Sequence, residues 1–595
     1  MKRLAISVWC LALGMLSSDA CTGFYVGRKV SVDGTTLIGR TMDFTPWNGM
    51  RHLNRFEPGE RTYFDGLKNK YAFICTSFVD GIDHGIYGDS NGFYGGEIIN
   101  DQGVMMSATV TGRTKDEALE ADPYVPVPEG GVGESNICDY MIGNAATARE
   151  AVEILVKAIA ERGHAGPETY AIADSNEAWY VEVYTGHEWA AVRLPEDKVA
   201  VYGNQFNLRE FSTNKTEGVM YSPGLVELAE KHGFIVWKDK EKGIIDLYET
   251  YSPPLFDYSN YRTFWGHHAW APTQFPADYK TENIYPLLFD PEPGLKLSVT
   301  NIFEMMRTRY EGVNCPEETG DTSVRLIGTS MHRSCDVLQM RHELPVDYRC
   351  TLWECFSQAE HSTFLPICMA TRDFPEAYTR NEGGKYDYDP HRAADAFLRL
   401  NTLAAQKRFV VDTHGVRRDV RPYYGAGVRA FWRAQENRLV EEWPRKLKEW
   451  NLQGRAGRIM ANAYVNFNQV WTLADAKRLH DEFIWYMAEF GCDQTDGEGA
   501  TDVPTYPFAS SMPTNAEQGR SWTRWHRAEF DVFIEKLAGP VAMRSPKVAM
   551  LVEKSKHVFD NVKDADTLAA AKAAMADVVR DMWLSGGDNY GIIHK

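Results

Sequence analysis

The chain has 595 residues, of which 44% are hydrophobic and 12% aromatic, so it has ample apolar surface to bury. Its formal net charge is −18 and it contains no basic block, which argues against a nucleic acid partner. The length exceeds what one hydrophobic core usually organises. We therefore expect two domains, or one large domain with an extension.

The first twenty residues have the pattern of a secretory signal peptide. Lys2-Arg3 precedes an apolar run over 4–16, and small residues occupy the −3 and −1 positions before Cys21. The apolar run is too short to span a bilayer. The alternative interpretation of these residues is a buried N-terminal strand or helix. We predict that residues 1–20 are removed and that the protein is secreted or periplasmic, with no stable insertion in a membrane.

Residues 21 to about 110 are typical of β-structure. A short strand begins at Cys21, Asp33-Gly34 is a hairpin signal, and 35–40 is the return strand. Two further strands, 92–99 and 104–110, flank a polar turn.

A helix and more strands follow. Thr147 and Glu150 form a capping box, and apolar residues recur at helical spacing up to Arg162. Turn signals then separate predicted strands at 169–173, 178–184, 188–194 and 199–202. Strands, a helix and more strands indicate an α+β fold with antiparallel sheet.

Beyond about residue 390 the sequence becomes helical in character. The predicted helices are 393–405, 425–450, 457–471, 474–490, 522–537, 547–560 and 566–584. We therefore divide the chain into a signal peptide (1–20), a catalytic domain (21–390) and a mainly helical C-terminal region (391–595).

The cysteines permit disulfides in an exported protein. Five of them crowd between positions 315 and 368, so we expect one or two bridges there, of unassigned connectivity. No pair has CxxC spacing and no histidine cluster completes a zinc site. The sequence therefore predicts no metal and no other cofactor.

Cys21 would become the N-terminal residue after cleavage. Its free α-amine has a reference pKa of about 7.7–8.0, so a useful fraction is neutral at neutral pH. That amine can accept the thiol proton and later donate it to a leaving nitrogen, so no separate histidine base is needed. The pattern predicts a cysteine amidohydrolase whose base exists only after Ala20 is removed.

The first hairpin supplies residues that could orient this nucleophile. Reflection about Asp33-Gly34 places Cys21 opposite about position 46, or a few residues earlier if the loop is longer. Arg40 and Asp43 are therefore expected near Cys21. Asp43 could hold the α-amine and Arg40 could favour the thiolate. The alternative is a surface salt bridge near a hairpin end.

Several spaced motifs resemble one family. CTGF at Cys21 followed by GRTMD at 39–43 is similar to the opening of the Ntn hydrolases related to choloylglycine hydrolase. These include penicillin V acylase, bile salt hydrolase and the cysteine dipeptidases often called dipeptidase A. The runs TAREAVEILVKAIAERG, ADSNEAWYVEVYTGHEWAAVRLPED and VYGNQF resemble the dipeptidase branch closely, as do YRTFW at 261–265 and HRSCDVLQMR at 332–341. The resemblance covers residues 21 to about 380.

The resemblance implies a four-layer αββα sandwich in which Cys21, at the end of a central strand, attacks an amide carbonyl. It implies active-site roles for Arg40 and Asp43. It also implies that the side-chain amide of Asn204 helps form the oxyanion hole, where a fixed donor can lower the barrier by about 3–4 kcal/mol. Without the resemblance, Asn204 is typical of a turn after a strand.

Two further positions follow from the same resemblance. Arg262 is placed where related acylases carry another active-site arginine. Those acylases also have an asparagine after the strand that spans 104–110 here, whereas this chain has Thr109-Val110. The second oxyanion donor stays open between Thr109 and a backbone N–H, and Thr109 is our candidate for substrate binding.

Other signals are set aside. The G-x-S-x-G string at 88–92 lacks the strand before it and the helix after it that a nucleophile elbow needs. His267-His268, next to tryptophans, are expected to line a groove or lie at a core edge. Three aspartates between 80 and 89 lack the spacing of an EF-hand.

The sequence thus predicts an exported dipeptidase that hydrolyses small peptides through a thioester on Cys21. One alternative keeps the mechanism but changes the substrate to an N-acyl amide. The other is a lipoprotein without catalysis, because lipidation of the Cys21 amine would remove the base, although Ser18-Asp19 fits a lipobox poorly. The oligomeric state and the preferred side chains are left open.

Overall fold

The computed structural model of the protein describes residues 21–43, 51–78, 95–310, 325–381, 391–404 and 425–490, except positions 256, 281 and 330. Shorter described pieces are 389, 409–411, 417–419, 546–561, 570 and 574. The predicted signal peptide, the G-x-S-x-G string and the aspartates between 80 and 89 lie outside these residues. So do the predicted helix 522–537 and all but two positions of the predicted helix 566–584.

The strands in chain order are β1 Thr22–Val26, β2 Thr36–Asp43, β3 Arg51–Phe56, β4 Phe73–Phe78, β5 Gly95–Asn100, β6 Met105–Thr111, β7 Glu168–Ala173, β8 Ala178–Val183, β9 Trp189–Arg193, β10 Val199–Tyr202, β11 Phe211–Ser212, β12 Val219–Tyr221, β13 Trp237–Asp239, β14 Ile244–Ile245, β15 His332–Met340, β16 Cys350–Phe356, β17 Leu365–Cys368, β18 Phe409–Val411 and β19 Arg417–Asp419. The α-helices are α1 Asp116–Ala121, α2 Glu134–Asn144, α3 Ala148–Arg162, α4 Leu225–His232, α5 Leu247–Tyr251, α6 Asp257–Trp270, α7 Val299–Arg307, α8 Val346–Arg349, α9 Glu376–Thr379, α10 Ala393–Ala404, α11 Ala426–Leu452, α12 Arg455–Phe490 and α13 Pro546–Asp560.

A six-stranded antiparallel sheet, ordered β10-β1-β2-β15-β16-β17, carries the segment that begins at Cys21. In the β1–β2 pair Thr22 lies opposite Thr41, which brings Cys21 level with Met42 rather than with position 46. The connection is a longer loop, in which the Val30 N–H donates to Gly27 O and the Val32 N–H donates to Leu297 O. Cys21 therefore lies opposite a residue a few positions before 46, as expected if the connection is a longer loop.

The second large sheet is antiparallel, with the order β12-β9-β8-β7-β6-β5-β4-β3. Side chains alternate across it, as the period of a strand requires. On β8, Trp179 and Val181 join a core cluster with residues of α2 and α3, whereas Tyr180 joins the larger cluster that contains Cys21. Both faces of this sheet are therefore buried.

Helix α3 begins as the sequence predicts. Thr147 Oγ1 accepts from the Glu150 N–H at 3.1 Å, and Glu150 Oε2 accepts from the Ala146 N–H at 2.8 Å. The first bond satisfies an N–H group of the first helical turn, whereas the second reaches the N–H of Ala146 and not that of Thr147, so only the Thr147 half of the predicted capping box is formed. The apolar face of α3 packs on β7 and β8.

The two large sheets approach each other where β6 lies against β2 and β15. Helix α7 packs on β2 and β15, and α6 packs on β10. The structure is thus an α+β fold built from antiparallel sheets and helices, and α6 is held beside the strand that leads to Asn204.

The C-terminal helices pack on the six-stranded sheet. The indole N–H of Trp443 on α11 donates to Thr351 Oγ1 at 2.9 Å, and Arg307 of α7 forms two bonds to Glu436 at 2.6 and 2.9 Å. Two helices predicted at 457–471 and 474–490 are one continuous helix, α12, because the intervening residues include no helix breaker. Within the described part of the chain, no helix is long and apolar enough to cross a membrane.

The disulfide prediction is wrong for the cysteines that the structure describes. Those of the predicted cluster are all free and buried, namely Cys335, Cys350, Cys355 and Cys368. They lie on or beside β15, β16 and β17, where they fill the core as small apolar side chains. Cys315 and Cys492 lie outside the described residues.

Candidate active site

Cys21 lies immediately before β1, between the ends of β2 and β10, and is 5% exposed. Burial raises the pKa of its thiol to about 12, an effect that the charge of Arg40 opposes and that of Asp43 reinforces. The Asp43 N–H donates to the sulfur. A thiol in this setting stays protonated at neutral pH, so its activation requires a base at close range.

Position 23, two residues after Cys21, requires a glycine. A Cβ added to Gly23 would lie 2.3 Å from the ring of Tyr202, which stands opposite it on β10. Only a glycine lets the two strands approach this closely without displacing the ring. This contact brings Cys21 close to the turn that follows β10.

Arg262, on α6, connects Cys21 to Asn204. Its Nη1 donates to the carbonyl oxygen of Cys21 at 2.5 Å and to Thr22 Oγ1 at 3.0 Å. Its Nη2 donates to Asn204 Oδ1 at 2.7 Å. The guanidinium is fully buried, so its position is fixed by these bonds.

Asn204 follows β10 and is held at two points. Besides the bond from Arg262, its backbone oxygen accepts from Ser259 Oγ at 2.9 Å. Its side-chain Nδ2 is buried and has no hydrogen-bond partner. An unsatisfied buried donor costs about 1–3 kcal/mol, so a structure that retains one leaves it available for a ligand or a reaction intermediate.

Asp43 ends β2, one residue beyond the position opposite Cys21. Its Oδ2 accepts from Arg325 Nη2 at 2.8 Å, whereas its buried Oδ1 has no hydrogen-bond partner. His332 Nε2 lies 3.6 Å from Oδ1, and burial lowers the pKa of that histidine. Asp43 therefore keeps one acceptor atom open near the thiol.

Arg40 lies between the two sheets, where it binds carboxylates on both of its terminal nitrogens. Nη1 donates to Glu134 Oε1 at 3.0 Å and Nη2 donates to Glu97 Oε1 at 2.9 Å. Glu97 is shared with Arg51 at 2.6 Å. Burial disfavours the charged carboxylate, but the two arginines outweigh it and lower the pKa of Glu97 to about 2.

Thr109 lies on β6, but its side chain is outside the described residues. On the same strand, Ser107 Oγ donates to Asp336 Oδ1 at 3.3 Å. The choice between Thr109 and a backbone N–H as second oxyanion donor therefore stays open.

Arg325 is a site residue that the sequence did not indicate. It donates to Asp43, contacts the hydroxyl of Tyr258, and its guanidinium lies 5.0 Å from the centre of that ring. Arg262 lies over the same ring at 5.6 Å. No motif in the sequence marks Arg325, and its partner Asp43 is 282 positions away. An alignment of relatives could have found it.

Of the histidine pair, which the sequence places in a groove or at a core edge, His268 is half-buried and His267 is fully buried. The two ring nitrogens of His267 lie 2.8 Å from Thr263 O and 2.8 Å from Pro286 O, so the neutral ring donates to one of them, and the ring stacks on Phe289. Burial lowers its pKa to about 4. Among the described residues there is no group of three or more histidine, cysteine or acidic side chains arranged to hold a metal.

Known proteins resemble the chain at the level of sequence. The model of peptidase family C69 matches residues 20–407. The chain is 30% identical over 407 residues to a probable dipeptidase B of Streptococcus pyogenes serotype M1, covering 62% of this chain and 78% of that protein. It is 28% identical over 389 residues to a probable dipeptidase of Salmonella dublin, covering 63% and 86%. Against the probable dipeptidase B of serotype M6, 30% identical over 325 residues, the match spans 51% of this chain and 62% of the relative's length.

Two solved variants of the conjugated bile acid hydrolase from Clostridium perfringens also align with the chain. One variant aligns with 59% of this chain and 94% of its own, at 14% identity and a TM-score of 0.27. The other variant aligns with 62% of this chain and 97% of its own, at 15% identity and a TM-score of 0.25. The family model, in contrast, matches from the residue before Cys21 to just past α10, which is more than half of the chain. This chain belongs to peptidase family C69.

Proposed function

We propose that the chain is an exported cysteine dipeptidase in which removal of residues 1–20 frees the α-amine of Cys21. One observation carries the proposal. Arg262 binds both the carbonyl oxygen of Cys21 and the side-chain oxygen of Asn204, so that the Asn204 Nδ2 remains a buried donor without a partner. The names of the curated relatives support dipeptides as the substrate class.

In the first half of the reaction, the neutral α-amine of Cys21 takes the thiol proton and the sulfur attacks the substrate carbonyl. The carbon–oxygen double bond becomes a single bond, and the oxyanion accepts a hydrogen bond from Asn204 Nδ2. The ammonium then returns its proton to the substrate nitrogen as the carbon–nitrogen bond breaks. The C-terminal amino acid leaves, and the N-terminal residue remains as a thioester on Cys21.

In the second half, water attacks the thioester while the α-amine takes one of its protons. A second oxyanion forms at the same donor and collapses, the carbon–sulfur bond breaks, and the thiolate recovers the proton. The free amino acid is released and Cys21 returns to its initial state. The net reaction consumes one water and breaks one peptide bond.

Asp43 and Arg40 act on this cycle in different ways. The unpartnered Oδ1 of Asp43 would accept from the α-amine and stabilise the ammonium that forms in each half-reaction. The positive charge of Arg40 opposes the effect of burial on the Cys21 thiol. In the precursor the Cys21 nitrogen belongs to the peptide bond with Ala20, so it cannot serve as a base.

We also propose a four-layer αββα sandwich for residues 21–390, followed by a mainly helical region. The packing of α2 and α3 on one sheet, and of α6 and α7 on the other, supports these layers. The signal-like sequence supports a secreted or periplasmic location.

The test combines the mass of the exported protein with an activity assay. The full chain is expressed in a bacterial host, the N-terminus is determined by intact mass and sequencing, and dipeptides are assayed beside N-acyl amino acids. We expect a free Cys21 amine and hydrolysis of dipeptides. Cys21→Ala should abolish hydrolysis without unfolding the protein. The matched control, Cys368→Ala, removes an equally buried free thiol on β17 and should keep the activity.

Each other outcome has a definite meaning. Wild-type activity in Cys21→Ala overturns the nucleophile. Hydrolysis of the N-acyl amino acids alone would replace the dipeptidase with an acylase. A lipidated Cys21 would identify a lipoprotein without catalysis, since the base would be lost.

A further inference from the structure

Asn204 is the central residue of a three-residue turn that follows β10. The Gln205 N–H donates to Gly203 O at 2.8 Å, which closes the turn around Asn204. This one internal hydrogen bond fixes the shape of the turn, whereas its position relative to the rest of the site depends on contacts with other elements. Whatever holds the turn therefore decides where Asn204 Nδ2 lies.

Helix α6 approaches β10 closely enough to reach this turn. A Cβ added to Gly266 would lie 2.2 Å from the Cβ of Val201, so a glycine is needed where the helix crosses the strand. A Cβ added to Gly203 would likewise lie 2.6 Å from Ser259 O. Ser259, Thr263 and Gly266 follow one another at intervals of four and three positions, so they share one face of α6. This face lies against the end of β10 and the turn.

Two hydroxyl groups on this face hold the backbone of the turn. Ser259 Oγ donates to Asn204 O at 2.9 Å, and Thr263 Oγ1 accepts from the Gly203 N–H at 3.2 Å. Both hydroxyl side chains are buried, so water competes little for these bonds. Arg262, which is also on α6, binds the side-chain oxygen of Asn204. The backbone and the side chain of Asn204 are thus both attached to the same helix.

We propose that Ser259 and Thr263 are positioning residues, which fix the backbone on both sides of Asn204 so that Arg262 can orient its amide. The inference rests on the proposed function, in which Asn204 Nδ2 stabilises the oxyanion, and it adds two residues to that function. Neither hydroxyl has to contact the substrate. A displacement of about 1 Å in such a site can cost about 10² in rate. Loss of either hydroxyl should therefore lower kcat without removing a group that binds the substrate.

The test uses variants that remove each hydroxyl, assayed on the full mature protein with the best dipeptide of a small panel. In Ser259→Ala and in Thr263→Val we expect kcat to fall about three- to tenfold, while KM stays within about twofold of wild type. Thr263→Ser keeps the hydroxyl and should recover most of kcat. Circular dichroism checks the fold of each variant. If Thr263→Val does not fold, Ser259→Ala, which removes a single atom, carries the same comparison.

A second measurement repeats the substitutions in the Asn204→Ala background. Because the two hydroxyls act through Asn204, adding Ser259→Ala to that background should change kcat less than about twofold. Equal losses in the two backgrounds overturn the inference. So does a wild-type kcat in both single variants when Asn204→Ala itself is impaired. If Asn204→Ala keeps the wild-type kcat, it is the proposed role of Asn204 that fails, and the inference fails with it.

The matched control is Ser222→Ala, between β12 and α4. Its hydroxyl is also buried and bonds the backbone, since Ser222 Oγ accepts from the Trp189 N–H at 3.0 Å. We expect this variant to keep the wild-type kcat and KM. A loss of kcat equal to that of Ser259→Ala would mean that removing any buried hydroxyl has this effect, and would overturn the role assigned to Ser259 and Thr263.

Discussion

Two buried arginines flank the candidate nucleophile, and their partners differ in charge. Arg40 binds the carboxylates of Glu97 and Glu134. Arg262 hydrogen-bonds only neutral oxygens among the described residues, and burial together with the nearby Arg325 lowers its pKa to about 10. A cation bonded to carboxylates holds two segments together, whereas one that is bonded only to neutral oxygens can stabilise negative charge that develops nearby. From this comparison we propose that Arg40 acts chiefly on the fold and Arg262 chiefly on the reaction.

The largest expected effect is a loss of kcat when Arg262 or its partner Asn204 is substituted. Asn204→Ala removes the buried donor that Arg262 orients, so kcat for dipeptides should fall by about 10²–10³ while KM changes little. Arg262→Met should produce a loss of the same order, because the side-chain amide of Asn204 would no longer be oriented. Steady-state kinetics on the mature protein measures both.

The control for this pair is Asn144→Ala, on α2. Its side chain is also buried and its amide bonds only Tyr140 O in the described structure, at 2.9 Å. It should leave kcat unchanged. A kcat in Asn204→Ala within a few-fold of wild type would mean that another group stabilises the oxyanion.

Substitution of Arg40 should lower the free energy of unfolding of the protein. Arg40→Met would leave Glu97 and Glu134 buried without one of their countercharges, so the free energy of unfolding should fall by about 3–5 kcal/mol. Activity per folded molecule should fall much less than in Arg262→Met. Chemical denaturation and kinetics on the same preparations compare the two. A variant that is as stable as wild type but inactive would give Arg40 a direct role in the reaction.

The smallest expected effect is a pH dependence of stability that comes from Glu182, which binds the segment following Asn204. Glu182 of β8 accepts from the Asn207 N–H at 2.5 Å and from the Tyr180 and Tyr184 hydroxyls, and burial raises its pKa to about 7. An unfolded glutamate has a pKa of about 4.3, so the folded state binds the proton more tightly. This contribution to stability is complete below about pH 4 and is lost as the pH rises through 7.

The measurement compares wild type with Glu182→Gln, which cannot titrate. Between pH 5 and pH 8 the wild type should lose about 2–3 kcal/mol of unfolding free energy relative to the variant. Other titrating groups contribute equally to both proteins and cancel in the difference. Parallel curves would show that Glu182 keeps an ordinary pKa in the fold.

Local patterns in the sequence were enough for much of the fold. The N-cap at Thr147 and the strands that turn signals separate between 169 and 202 are confirmed, because both depend on residues a few positions apart. The disulfide prediction failed for the described cysteines because crowding along the sequence says little about distance or thiol orientation. A core strand can use cysteine simply as a small apolar residue.

The candidate site was less accessible to such reasoning. Cys21 and Asp43 belong to one hairpin, so their proximity followed from turn position, within the error of the loop length. Asn204 and Arg262 depended on a resemblance, since β10 and α6 carry no local sign of where they pack. Arg325 and Glu97 depend on contacts between distant strands and loops, which one sequence does not encode visibly.

The helical segment beyond residue 390 has a practical consequence for protein engineering. A protein shortened at that point would keep every residue of the proposed catalytic machinery, yet it would lose Glu436 and Trp443. Arg307 would then be a buried cation without its bidentate partner, and the Trp353 side of the sheet would lose its indole neighbour at 6.4 Å. We therefore expect the smallest unit that folds to extend beyond residue 407, where the family match ends, so a truncation series should remove residues from the C-terminal end of α12 first.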